Sequence, residues 1–231
     1  MTAREQDRRR TARRQFVARL AATGALGAGG LAGFIGRALA KGDIPATPGV
    51  NQLKGQATVN GRPARVGTPV SPSDRIATGP GSMAVVVVKS DAFLVRENTT
   101  LEFAATGGIL SRVLVDTGRV LSVFGRKPLV IKAANATIGI RGTAAYLEVS
   151  PEQVYFCLCY GVADLDGPGM SAPKQIVTTH HEQPLIITDE GGAMAARPGP
   201  VMNHTDDELI LLESLVGREP PFLNDPFAKR Y

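Results

Sequence analysis

The stretch Asn135-Ala-Thr-Ile-Gly-Ile-Arg-Gly-Thr-Ala-Ala-Tyr-Leu-Glu-Val149 decides how this chain folds. Its β-branched and apolar residues alternate, the period of a strand with one buried face. Two glycines, Gly139 and Gly142, stand where a plain strand carries side chains. Glycine inside a strand pattern marks a bulge, a bend or a close backbone approach. The stretch therefore reads as one bent core strand, with its neighbours packed around the bend.

Outward from it the same signals recur. Met83 to Lys89 is a continuous apolar run of strand length, read as buried on both faces. Val154-Tyr-Phe-Cys-Leu-Cys-Tyr160 is a second strong strand, interrupted at Gly161 and continued by Val162 to Leu165. Asn60-Gly61 is a hairpin turn signal, and Ile109 to Val115, Asp116-Thr117-Gly118 and Arg119 to Phe124 together read as a second hairpin. Strand signals return every eight to twelve residues or so, the spacing of a sandwich or barrel. The 26 glycines and 16 prolines among 231 residues suit many short strands, and a 43% hydrophobic content supports a real core. The expectation is an all-β domain, a wrapped β-sandwich or solenoid-like arrangement over residues 56–190, after a linker at 41–55. A C-terminal extension, 191–231, carries one amphipathic helix at about 205–216. Thr205-Asp-Asp-Glu208 has the form of a capping box, Leu209, Leu212, Leu215 and Val216 share a face, and Gly217 is placed to end the helix.

The net charge of +5 is unevenly spread. Residues 1–40 hold eight arginines and two acids, leaving 18 basic and 19 acidic residues in 41–231. A nucleic-acid binder needs its positive charge in the folded part, so nucleic acid is not an expected partner. The amino-terminal charge belongs to another pattern. Arg13-Arg14-Gln15-Phe16-Val17 lies in a basic region, Leu20 to Gly36 is an uncharged Ala/Gly/Leu run, and Ala38-Leu39-Ala40 is a small-x-small cleavage site. Residues 1–40 thus resemble a twin-arginine signal peptide, which implies export and a periplasmic location. Contact with the membrane follows only if the segment is retained.

The strand motifs carry a family likeness. Gly67-Thr-Pro-Val-Ser-Pro-Ser-Asp-Arg-Ile-Ala-Thr-Gly79 and Gly81-Ser-Met-Ala-Val-Val resemble the opening of a FecR domain. Arg96-Glu-Asn-Thr-Thr-Leu101 and Gly118-Arg-Val-Leu121 are similar to its next strands. Arg141-Gly142-Thr143 is similar to its Val-Arg-Gly-Thr signature, and Tyr160-Gly161-Val162 falls where the family has a Gly-x-Val strand. The resemblance covers about 55–190. It implies an all-β periplasmic domain, in its best-known setting a relay of iron-uptake signals to a cytoplasmic anti-sigma segment through a membrane helix. This chain departs from that setting, with no cytoplasmic regulatory region and no convincing membrane span in its sequence. The resemblance then points to a non-enzymatic envelope module, binding or sensing a protein or glycan partner.

Chemistry concentrates elsewhere. The two cysteines, Cys157 and Cys159, and the three histidines, His180, His181 and His204, all lie in the last 75 residues. Side chains at i and i+2 share a strand face, with α-carbons about 6.5 Å apart and parallel directions, poor geometry for a disulfide. Thiolates so presented suit a soft metal. If the strand from Lys174 pairs near Val154–Leu165, the turn with His180 and His181 reaches one end of it. Cys157, Cys159, His180 and His181 are therefore the candidate ligands of a zinc, copper or iron ion, in a metal carrier or small redox protein. Two adjacent histidines cannot both point inward from one strand, and buried cysteine also serves as plain packing. With packing as the reading, no cofactor is expected. Catalytic signatures are missing from the sequence. Ser82 in Gly-Pro-Gly-Ser-Met-Ala is not a nucleophile elbow, and His181-Glu182 lacks the second histidine of a zinc-protease motif, Leu185 standing in its place.

Overall fold

Residues 46–224 and 231 are described by a computed structural model. The twin-arginine segment, and residues 41–45 of the expected linker, lie outside them. Among the described residues, β-branched runs punctuated by glycine and proline form fifteen strands and one α-helix, an all-β fold with a helical appendage.

The strands are β1 (Gly49–Lys54), β2 (Ala57–Val59), β3 (Arg62–Pro63), β4 (Arg75–Thr78), β5 (Met83–Val88), β6 (Asp91–Val95), β7 (Thr100–Thr106) and β8 (Ile109–Val123). They continue with β9 (Pro128–Ala133), β10 (Ala136–Arg141), β11 (Ala144–Val149), β12 (Val154–Asp166), β13 (Lys174–Thr178), β14 (Leu185–Glu190) and β15 (Ala193–Pro198). Helix α1 spans Asp206–Leu215. Residues 49–54, read from the sequence as linker, form β1 because they pair with the apolar run of β5. Residues 193–198, read as loop, form β15 against β14.

The strands make two layers that share their longest members. One layer runs β1-β5-β6-β8-β11-β12-β14-β15. The other runs β3-β2-β4-β7-β8-β9-β10-β12-β13, with β8 and β9 parallel. Both β8 and β12 pair in each layer, and β8-β9-β10-β12-β11 closes back on β8. A strand that changes layers must bend at the corner. The bends fall at Gly118 in β8 and Gly161 in β12, with φ of 95° and 104°, so residues 109–123, read from the sequence as a hairpin, form one strand that bends at Gly118 instead of reversing.

The opening stretch makes the same passage. It is not one bent strand but two, β10 in one layer and β11 in the other, joined by Gly142-Thr143. Gly142 takes φ 62°, a left-handed conformation that side-chain residues avoid. Gly139 lies within β10, opposite Val130 and Asp164, and bends nothing. Thr143 is fully buried, and its Cγ2 lies 2.5 Å from where a Cβ on Gly161 would stand. Gly142 and Thr143 are thus corner packing, whereas Arg141 is exposed.

Alternation sorts the side chains. Phe93, Val120, Leu147 and Phe156 of the first layer face Phe103, Val113, Ile131 and Ile138 of the second in one apolar core. The Phe93 and Phe103 rings lie 4.8 Å apart across it. The odd-numbered neighbours, Leu121, Tyr155, Cys157 and Cys159, point to the opposite face of the first layer and are buried there too. Helix α1, against β6 and β8, and the chain leading into it cover this outer face. The helix is held at both ends by its sequence. Thr205 and Glu208 complete the capping box, and Gly217 and Arg218 donate to the carbonyls of Ser214 and Glu213 in a Schellman closure.

Candidate metal centre

Three pieces of backbone meet beneath that cover. The first is β12, whose alternation delivers Cys157 and Cys159 side by side onto the outer face. Both are fully buried and unbridged. The second is the turn after β13. Glu182 accepts from the amides of Thr179 and His180, each at 2.8 Å, and His181 N–H donates to the Cys159 carbonyl at 3.0 Å. His181 takes φ 64° there. The two histidines lie in a turn rather than a strand, so both face inward, with exposures of only 8% and 1%. The third piece is the segment entering α1, where His204 stands next to the N-cap Thr205.

The donor atoms of Cys157, Cys159, His181 and His204 all lie within 4.8 Å of one another. Cys157 Sγ is 3.4 Å from His181 Nδ1, and His204 Nε2 is 3.1 Å from the same nitrogen. A tetrahedral zinc ion, with Zn–S about 2.3 Å and Zn–N about 2.0–2.1 Å, sets its donors about 3.3–3.8 Å apart. These two distances are close to those edges, and the other pairs lie within 4.8 Å.

The outer nitrogens fix which ring atoms are free. His204 Nδ1 lies 2.7 Å from the Met202 carbonyl, which only accepts, so Nδ1 carries the proton. His181 Nε2 lies 3.3 Å from the Asp206 carboxylate and is likewise the protonated atom. In the neutral rings, two bare lone pairs therefore face each other at 3.1 Å, beside a thiol. Such a contact is favourable only with a cation between them, a proton or a metal ion. A carboxylate or carbonyl behind each inward-facing histidine is also the usual outer support of a metal-ligating imidazole. The Tyr146 ring stacks on His204 at 4.5 Å and closes that side.

Without a metal ion a proton takes that place, on His181 against the Cys157 sulfur. The hydrogen bond with Cys159, then those with His181 and His204, hold the Cys157 thiol down to about 4 against the opposing effect of burial. Burial pushes the Cys159 thiol up. Burial also works to lower His181, but the bonds to Asp206 and Cys157 outweigh it and raise the ring to about 9. Asp206 stays below its ordinary value, because the bonds from His181, His180 and the Tyr231 amide overcome the effect of burial.

Three of the four ligands expected from sequence, Cys157, Cys159 and His181, thus meet in one cluster. His180 faces away from the thiols. Its Nε2 is 2.8 Å from Asp206 Oδ1, its ring stacks on Phe222 at 4.3 Å, and it lines a groove of about 570 Å³ together with Tyr160, Thr179, Glu213 and Phe222. His204 and Asp206 are the residues that sequence reasoning missed. The available signal was scarcity, because the chain holds only three histidines and two cysteines and all five come after residue 156.

No protein-family profile matches this chain, and no curated protein matches it. Among solved structures it is similar to two crystal structures of a candidate anti-sigma factor from Parabacteroides distasonis ATCC 8503. For the first, the TM-score is 0.44 at 13% identity, over 54% of this chain and 59% of the other. For the second, it is 0.45 at 14% identity, over 61% and 73%. The chain therefore spans less than two thirds of the first of these relatives.

Proposed function

We propose that this protein is an exported, non-enzymatic β-domain that holds one transition-metal ion, zinc before copper or iron, at Cys157, Cys159, His181 and His204. The observation that carries the reading is the convergence of two buried sulfurs and two imidazole nitrogens within 4.8 Å, with His181 Nδ1 3.1 Å from His204 Nε2 and 3.4 Å from Cys157 Sγ. A proton joins two of the four donors, whereas a tetrahedral ion satisfies all of them at once. An N₂S₂ tetrahedral set favours zinc among the divalent metals. All four protein positions are filled and buried, leaving none open for a substrate, which suits a stored or structural ion rather than a catalytic one. Among the described residues, no helix is long and apolar enough to cross a membrane. The twin-arginine resemblance supplies the setting for this reading, the periplasm, reached after the ion is already in place. The FecR-like resemblance supplies a neighbour, an envelope protein or glycan that meets the module's surface.

Elemental analysis of the protein isolated from the periplasm tests the metal. One zinc per chain, lost when Cys157 and Cys159 are both changed to serine, is the expected result. A metal-free protein whose two thiols are buried and unreactive would overturn it.

A further inference from the structure

Among the described residues, the four-donor centre has no direct opening to solvent. Its cysteines and His181 are at most 1% exposed and His204 is 5% exposed, with β11 and β12 on one side and the Tyr146 ring on another. Among the described residues, a second group of donors stands on a side where a groove approaches. His180 Nε2 and His181 Nε2 lie 2.8 and 3.3 Å from the same oxygen of Asp206, and the three donor atoms fall within 4.8 Å of one another. His180 belongs to both settings, since it also lines the groove of about 570 Å³ beside α1.

We propose that His180, His181 and Asp206 form a second metal site, a loading station through which a divalent cation passes between the groove and the closed centre. This inference rests on the metal reading of the Cys157–Cys159–His181–His204 cluster. Two imidazoles and a carboxylate make a set of borderline hardness that holds zinc with a coordination position left for water. That is the composition of an exchangeable site rather than a sealed one. His181 is shared, with Nε2 turned to the station and Nδ1 to the centre. While the ion sits at Nε2 the ring proton is on Nδ1; as the ion passes to Nδ1 that proton returns to Nε2 beside Asp206, and the cysteine thiols release their protons to solvent as two thiolates are gained. Asp206 has one oxygen toward the histidines and the other taking the Tyr231 amide at 3.0 Å, so the carboxylate is held in place to receive the ion. Phe222, stacked on His180, lines the groove beside the station.

The test follows cobalt(II) uptake by the metal-free full chain in a stopped-flow instrument, reading the thiolate-to-cobalt charge-transfer band. His180→Gln keeps a side-chain N–H for Asp206 and removes the imidazole donor. The expected result is uptake, and release to a chelator, both slowed roughly tenfold, with the final band and the equilibrium affinity unchanged. Phe222→Ala, which opens the groove wall without removing a donor atom, is expected to speed both at unchanged affinity. A full band that appears at the unsubstituted rate in both variants would overturn the loading station alone. No charge-transfer band in the unsubstituted protein would overturn the metal reading, and the station with it.

Discussion

At Gly161 the absence of a side chain is a structural requirement. Its φ is 104°, and a Cβ there would stand 2.5 Å from Thr143 Cγ2. Gly161→Ala combines backbone strain with overpacking of a buried corner and is expected to cost about 2–4 kcal/mol. Gly139→Ala meets nothing nearer than 3.8 Å and is expected to change stability by less than about 1 kcal/mol. Urea midpoints of the two variants check the contrast. The sequence marks both Gly139 and Gly142 as candidates for a bend, since each interrupts the same alternation. Which one turns the chain depends on φ and on what lies opposite, and neither is written in the local pattern. A second residue-scale test concerns Asp91, fully buried, with Lys127 Nζ at 2.5 Å and the Gly125 amide at 2.9 Å. Asp91→Ala strands the lysine charge and is expected to cost about 3 kcal/mol or more, read from the same midpoints.

Helix α1 shows what local signals do and do not disclose. Its capping box and its glycine stop are short-range chemistry, so both ends are readable from a few residues. That Glu213 lies on a buried face is not readable, because the segments on either side of the helix decide it. Glu213 is bonded to Tyr160 and to Arg218, with Arg218 Nε at 2.5 Å, yet burial, its largest influence, raises its carboxyl above the ordinary 4.5. A carboxyl raised on folding favours the protonated form in the native state. Its contribution to stability is present below about pH 4.5 and is lost as the pH climbs through the raised folded value. Glu213→Gln is expected to flatten that decline in thermal melts run between pH 4 and 7, and an unchanged slope would exclude the assignment. Strands β1 and β15 are the opposite case. Gly49–Lys54 and Ala193–Pro198 carry little strand propensity of their own, and pairing with β5 and β14 makes them strands.

Across the whole molecule, the candidate centre joins β12, the turn after β13 and the lead into α1, with 21 residues separating Cys159 from His181 and 22 separating His181 from His204. Such a cluster has no sequence period. The cysteine pair is legible because two neighbours on one strand face need no tertiary information. His204 is not, since the chain must pass through β14 and β15 before returning to β12. A bound ion would tie the C-terminal cover to the sheet and stabilise the native state alone. Free zinc at 100 times its dissociation constant is expected to add about 2.7 kcal/mol, seen as a fall in Tm on chelation. Replacing both cysteines with serine is expected to abolish that chelator-dependent shift.

The circuit β8-β9-β10-β12-β11 has a bearing on how the protein breathes. A strand inside a ring has a partner on either side and no free end from which to unzip. Amide protons of β10 and β11 are thus expected to exchange with deuterium only through global opening, at one shared free energy. Those of β15 and β3, each paired along a single side, are expected to exchange by local fraying, orders of magnitude sooner.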